Sequence, residues 1–304
     1  MILCVGEILA DMMGTTSDGV TVYEQKAGGA PFNASCAIKA LGGEVAFVGA
    51  VGDDLVGQFL IDFACRRGLG EWVQKRNDAN TTLAFVSHDE QGERSFCFYR
   101  KNTADFMLDE IDENLLEKAS VIHIGSLMLG EELGRAYARV LAQRAKKANK
   151  CVSFDVNYRS DIFSSESEAK IIFKQMIGLA DIVKFSQEEV EIFGKDYIDG
   201  LTDKLVLITL GKEGSVWQKG GESGHAQSIK VNAVDTTGAG DAFYGAVLTK
   251  LDMAYPAVLQ KTDKIDCEKM NEILRYANIV GALATQKKGA IDSLPSAEEV
   301  NKLL

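Results

Sequence analysis

At 304 residues the chain is long enough for one large α/β domain or two average ones, with a core that folds without staples. Its 46% hydrophobic and 25% charged residues are ordinary for a globular protein, and its net charge of −11 argues against a nucleic-acid surface, which needs concentrated Lys and Arg. A small anionic ligand needs only a local positive site and stays open.

The first residues, MILCVGEILAD, carry no basic region and meet an acid early. They predict a buried strand over 2–5 and not a signal peptide. Asp11 falls at the end of that strand, where a carboxylate grips two hydroxyls or merely finishes a turn. Residues 12–26 are polar and turn-rich. In KAGGAPFNASCAIKALGG (26–43), Gly28 and Gly29 allow close backbone approach and Asn33 stands at a helix start. Asn33 offers a donor and an acceptor, which suits a sugar hydroxyl, and an N-cap role competes with that reading. A helix over 33–41 follows, ended by Gly42-Gly43.

Further strands are predicted at 45–48, 121–124, 151–155, 181–185 and 205–209, and further helices at 55–67, 131–148, 166–179, 239–251 and 271–287. This alternation predicts a doubly wound, mostly parallel sheet, with ligands at the carboxyl ends of its strands. Residues 81–100 break the rhythm as two alternating strands around a turn at Asp89–Glu93. With 12–26 they predict a small β lid over the main domain, an edge extension of the sheet being the alternative. The basic run 142–150 reads as a solvated helix end. His123 reads as a satisfied core histidine, and His88 and His225 as turn residues. Trp72 and Trp217 show no sugar-stacking pattern.

The stretch VDTTGAGDAF (234–243) places Gly238 and Gly240 directly ahead of Asp241 at a helix entrance. Unpaired N–H groups there suit an oxyanion or a transferring phosphoryl group. A carboxylate at an anion hole makes sense if it accepts the proton of an attacking hydroxyl. Helix capping by Asp241 stands level with that reading. No G-x-x-x-x-G-K-[ST] and no G-x-G-x-x-G occurs. Six cysteines (Cys4, Cys36, Cys65, Cys97, Cys151 and Cys267) lack C-x-x-C spacing, which fits reduced thiols in a cytoplasmic protein.

Both glycine clusters resemble the two signature motifs of the ribokinase-like (PfkB) sugar-kinase family. GEILADM (6–12), VGAVGDDLVGQFL (48–60), HIGSLML (123–129), SFDVNYRSDIF (153–163), ADIVKFSQEEVEIF (180–193) and LITLGKEGS (207–215) resemble further family segments, in family order. TTLAFV, FYR and DTTGAGDAF are most similar to the bacterial and plant fructokinases. The resemblance spans almost the whole chain and implies a single ribokinase-like domain over 1–304, its lid formed by about 12–26 and 81–105.

The activity implied is transfer of phosphate from MgATP to D-fructose, giving fructose 6-phosphate. Asp241 would be the general base, and the backbone of Gly238, Ala239 and Gly240 the anion hole. Asp11, Gly28, Gly29 and Asn33 would hold the sugar, Tyr99 and Arg100 would add lid contacts, and Asn157 and Arg159 would lie near sugar and phosphates. Ser186, Thr209, Gly211, Gly214, Gly240 and Asn278 match the nucleotide region. Glu189 would act on Mg²⁺ through water. Ser186 stands where the family commonly has asparagine. Asp235, Thr237, Gly289 and Ser293 match the region where family members often bind K⁺. Related substrates are 2-keto-3-deoxygluconate, ribose, a nucleoside or an aminoimidazole riboside. A non-catalytic sugar-binding regulator is the reading from another class. The exposed lid face is where two copies would pair.

Overall fold

The computed structural model describes residues 1–88, 94–254 and 266–304; the expected turn at Asp89–Glu93 lies outside them. One sheet has nine strands. β1 (Ile2–Val5) lies near its middle, followed on one side by β4 (Val45–Gly52) and β5 (Trp72–Arg76). On the other side come β8 (Val121–Ile124), β9 (Cys151–Asp155), β10 (Ile182–Ser186), β11 (Leu205–Thr209), β12 (Ser215–Lys219) and β13 (Glu222–Ala226). Pairing is parallel from β5 to β11, and β12 and β13 add an antiparallel edge.

The central strands are buried at every position and mostly apolar because both faces are covered. Ile2 and Cys4 face one core, while Leu3 and Val5 face the other. The first core packs α1 (Ala30–Ala40), α2 (Leu55–Arg66), α8 (Ala239–Ala254) and α9 (Cys267–Ala284) against the sheet. The second packs α4 (Glu132–Lys147) and α5 (Glu166–Leu179). Within α8, Tyr244, Val247, Leu248 and Leu251 are fully buried, each contributing roughly 1.5–3 kcal/mol by removal from water. Short helices α3 (Glu113–Lys118), α6 (Gln187–Phe193), α7 (Lys195–Asp199) and α10 (Ala297–Asn301) complete the described α-helices. The doubly wound architecture is the one expected.

A second sheet orders β3 (Val20–Gly28), β2 (Leu9–Ser17), β6 (Leu83–His88) and β7 (Arg94–Tyr99). It is a separate layer and not an edge extension. The polar segment 12–26, expected as part of a small β lid, lies in a long hairpin. Its two-residue turn, Asp18-Gly19, takes positive φ at both positions (52° and 77°). That geometry matches the twist of the flanking strands. The hairpin also moves Asp11 off the end of the first strand and into β2.

His123 is buried, as expected, with Nδ1 3.2 Å from Ser153 Oγ, and burial lowers its pKa to about 4. His225 lies on β13 and not in a turn, its Nε2 3.0 Å from the Glu213 carbonyl. The indole of Trp217 is fully buried and donates to Asn271 at 2.9 Å. No disulfide joins the cysteines of the described residues. Among those residues no helix is long and apolar enough to cross a membrane.

Candidate active site

The carboxyl ends of β1, β8 and β9, the first turns of α1 and α8, and the second sheet enclose one cleft. Its lining includes Glu7, Asp11, Asn33, Phe98, Arg159 and Asp241. Gly29, Asn157, Thr237 and Gly238 complete its polar wall. A larger cavity of about 580 Å³ lies between α4 and the 106–111 segment, and it contains none of the residues singled out above. The smaller cleft gathers the carboxylates, the guanidinium and a helix entrance, and these can do chemistry.

α8 begins at Ala239, so Asp241 sits inside its first turn and not at the N-cap. Its Oδ2 accepts from Asn33 Nδ2 at 2.8 Å. Burial raises the Asp241 carboxyl to about 6, against the lowering effect of the Asn33 hydrogen bond. Asn33 is likewise not an N-cap. Gly29 holds that position with φ 110°, and α1 enters through Pro31. The Asn33 Oδ1 is buried without a hydrogen-bond partner.

Asp11 reaches across from the hairpin, and Gly28 makes room for it. A Cβ at Gly28 would lie 2.1 Å from Asp11 Oδ2. Burial, reinforced by the Asp241 charge, raises Asp11 to about 7, and the Arg159 charge opposes this. Arg159 also holds the Asp241 carboxyl down, so one guanidinium serves both acids. Asn157 beside it adopts φ 37°, a left-handed conformation uncommon outside glycine. The N–H groups of Gly238, Gly240 and Asp241 have no backbone partner among the described residues. Ala239 differs from expectation here, since its N–H turns back to the Thr236 carbonyl at 3.3 Å.

Two expected lid contacts fall elsewhere. Along β7 side chains alternate, so Phe98 lines the cleft while Tyr99 is 62% exposed and packs on Phe85. Arg100 is committed to buried Asp105, with Nε 2.8 Å from Oδ2, and its guanidinium lies over Phe106. Thr82 and Thr103 donate to the same carboxylate. The pair therefore anchors the base of the small sheet.

The residues matched to a nucleotide region lie at the ends of β10 and β11 and beyond. Ser186 and Thr209 are register partners there. Ser186 caps α6 in a reciprocal box: its Oγ accepts from Glu189 N, and Glu189 Oε2 accepts from Ser186 N at 2.7 Å. The other Glu189 oxygen accepts from Tyr158 N at 2.7 Å. Gly211 and Gly214 shape the turn after β11, both with positive φ. Asn278 does not present its amide nitrogen to the open region, because it donates to the Ala226 carbonyl at 2.8 Å.

Beneath Gly240 lies a buried charge cluster that the sequence reading missed. Lys184 Nζ is 2.9 Å from both oxygens of Asp155. Burial opposes its charge, but Asp155, Glu189 and Asp241 together raise its pKa. Glu189 is raised by burial against the pull of Lys184. A lysine inside the otherwise apolar run DIVKF was the available signal. Glu7 was missed as well, although it follows the first strand directly.

The residues matched to a K⁺ region lie on two neighbouring segments. Asp235 Oδ1 accepts from both the N–H and the hydroxyl of Thr237, and Oδ2 accepts from Gly289 N at 2.8 Å. Buried Ser293 donates to the Ala290 carbonyl nearby. This brace ties the loop before α8 to the 285–293 segment.

The model of the family described as pfkB family carbohydrate kinase matches residues 1–297. Fructokinase-1 of Zea mays is 38% identical over 322 residues, covering 100% of this chain and 97% of its own. Fructokinase-2 of Solanum lycopersicum is 38% identical over 321 residues, covering 100% of this chain and 96% of its own. Among solved structures, a fructokinase from Xylella fastidiosa with bound ATP superposes with TM-score 0.92 at 31% identity, covering 99% of this chain and 97% of that one. A fructokinase from Vibrio cholerae O395 bound to fructose, ADP and calcium ion gives TM-score 0.86 at 29% identity, covering 100% and 98%.

Proposed function

The chain belongs to the pfkB family of carbohydrate kinases and is a sugar kinase, and from that premise we propose that it transfers the terminal phosphoryl group of ATP to the primary hydroxyl of D-fructose. The observation that carries this reading is the Asp241 carboxyl at a helix entrance where the N–H groups of Gly238, Gly240 and Asp241 have no backbone partner among the described residues. A carboxyl raised to about 6 is ionised at neutral pH and still basic enough to take a proton. Asn33 fixes its orientation at 2.8 Å. As the sugar oxygen attacks phosphorus, Asp241 accepts its proton. The N–H groups of Gly238 and Gly240 stabilise the charge that develops on the phosphoryl oxygens, while the Ala239 N–H holds the turn that aims them. Arg159 adds a bidentate cation to that corner. The second sheet covers the cleft and excludes water, which would otherwise accept the phosphoryl group.

Fructose is favoured by the relatives named fructokinase that align along the whole chain. The lining supports a neutral sugar in general. Asp11 and Asp241 face the cleft with a single guanidinium, Arg159, which already serves both acids, so no positive charge is left over for an acid sugar. Asp11 and Asn33 are the groups that would grip sugar hydroxyls.

The residues present fit the implied cations. Asp155 and Glu189 are buried beside one ammonium, Lys184, which leaves one carboxylate charge over. Glu189 would hold Mg²⁺ through water, since both of its oxygens already accept N–H groups. When bound, the ion neutralises phosphate charge. The Asp235 and Ser293 oxygens, 7% and 3% exposed as residues, form a hard-donor environment suited to K⁺ beside the helix entrance.

A panel of sugars at fixed MgATP tests the reading. Fructose should be turned over well above ribose, a nucleoside, an aminoimidazole riboside and 2-keto-3-deoxygluconate. Turnover of any of these well above fructose would overturn the substrate assignment.

A further inference from the structure

Glu7 occupies the loop between β1 and β2, 2% exposed, and lines the same cleft as Asp11, Asn33 and Asp241. Its Oε2 is buried with no hydrogen-bond partner. The backbone N–H of Glu7 itself serves the carboxyl, and Oε2 is the oxygen left over. A Cβ on Gly125 would lie 2.6 Å from Oε2, so only the bare backbone of that residue leaves it room. Pro31 closes in on the same glycine. Leu9, Leu127 and Phe98 supply the apolar part of the cleft wall.

A buried polar atom without a partner lowers stability unless something else satisfies it. A purely structural residue at this point would be apolar or fully bonded. The other unpartnered oxygen in this cleft is Asn33 Oδ1, on the opposing first turn of α1. Two unsatisfied oxygens on residues that line one cleft point to a polar ligand.

We propose that Glu7 is a sugar-binding, specificity-determining residue whose carboxyl group exchanges a hydrogen bond with one hydroxyl of the bound sugar. The inference rests on the cleft being the sugar site. Glu7 acts there as a neutral acid. Burial raises its carboxyl to about 8 against the lowering effect of its own backbone N–H; the charges of Asp105 and Asp241 add to the rise, and Arg100, itself paired with Asp105, opposes it. A protonated carboxyl carries both a donor and an acceptor. It therefore offers the sugar a donor that Asp241, as a carboxylate, does not. Ionisation of Glu7 above about pH 8 removes that donor and adds a negative charge beside Asp241.

The test uses the full-length protein, MgATP and fructose with its monodeoxy analogues, comparing wild type with Glu7→Gln and Glu7→Met. Glu7→Met should fold at least as stably as wild type. It should raise KM for fructose by about 10-fold or more while leaving KM for ATP in place. The penalty that wild type shows for one particular deoxy analogue should collapse in this variant. Glu7→Gln keeps a donor and an acceptor, so it should restore much of the affinity and abolish the alkaline rise in sugar KM near pH 8. A Glu7→Met enzyme with wild-type sugar KM and intact deoxy penalties would overturn the Glu7 assignment alone. Absence of sugar turnover by wild type would remove the sugar site itself, and this inference with it.

Discussion

Replacing Asn33 by alanine removes the 2.8 Å hydrogen bond from Nδ2 to Asp241 Oδ2 and leaves the rest of the α1 entrance in place. That bond favours the ionised carboxylate and opposes the burial that raises Asp241 to about 6. A hydrogen bond to a charged group is worth about 1.5–3 kcal/mol. At 1.36 kcal/mol per unit this moves the Asp241 pKa up by about 1–2 units. The base is then partly or mostly protonated at pH 7. The profile of kcat/KM against pH, which reports the free enzyme, should show its acid limb displaced from about 6 to about 7–8. Activity in Asn33→Ala should recover towards the parent as pH rises past that limb. Asp11, raised to about 7 in part by the Asp241 charge, contributes a second step that moves down, opposite to the Asp241 limb, as Asp241 becomes protonated. Any loss of sugar contact through Asn33 Oδ1 lowers the whole profile without moving the limb, so the two roles separate. A coupled spectrophotometric assay across pH 5 to 9 suffices. An acid limb at the same pH in both proteins would refute the tuning of Asp241 by Asn33.

Lys184→Met strands the buried Asp155 carboxylate, which Lys184 contacts through both oxygens. Unfolding in urea should show a loss of about 3–5 kcal/mol, largely recovered when Asp155→Asn is added, and additive losses in the double variant would contradict the pairing. Gly29→Ala places a Cβ 2.4 Å from the Glu7 carbonyl at φ 110°. It should cost about 1–3 kcal/mol and lower the melting temperature by several degrees, and an unchanged melt would contradict the strained turn. Protonated Glu7 favours the fold because its folded pKa, about 8, exceeds its ordinary value of 4.5. That stabilisation is complete below pH 4.5 and is lost as pH rises through about 8, so Glu7→Gln should flatten the stability curve across this window. Parallel curves for the two proteins would contradict the burial argument.

The sheet was legible because its central strands are buried on both faces and therefore read as continuous apolar runs. β12 and β13 were not, although SVWQK and ESGHA flank a Gly220-Gly221 hairpin signal; their polar, half-exposed residues carry no such run. The β2–β3 hairpin hid for the same reason, with most of its outer half facing solvent. Within the site, Asp11, Asn33, Arg159, Gly238 and Asp241 lay in motifs and converge on one cleft. Phe98 and Tyr99 were interchanged because alternation gives two faces without saying which is inner. Ser186 caps α6 in a local S-x-x-E box, whereas the Asn278 bond to the Ala226 carbonyl is one that only tertiary packing reveals. Glu7, Asp155 and Lys184 needed burial before their charge became informative.

The most direct measurement is sugar phosphorylation by purified Asp241→Ala with MgATP and fructose. A positioned base contributes about 10²–10⁴-fold, so kcat should fall by two or more orders of magnitude while the protein stays folded. Turnover close to that of the parent would contradict Asp241 as the group that takes the hydroxyl proton.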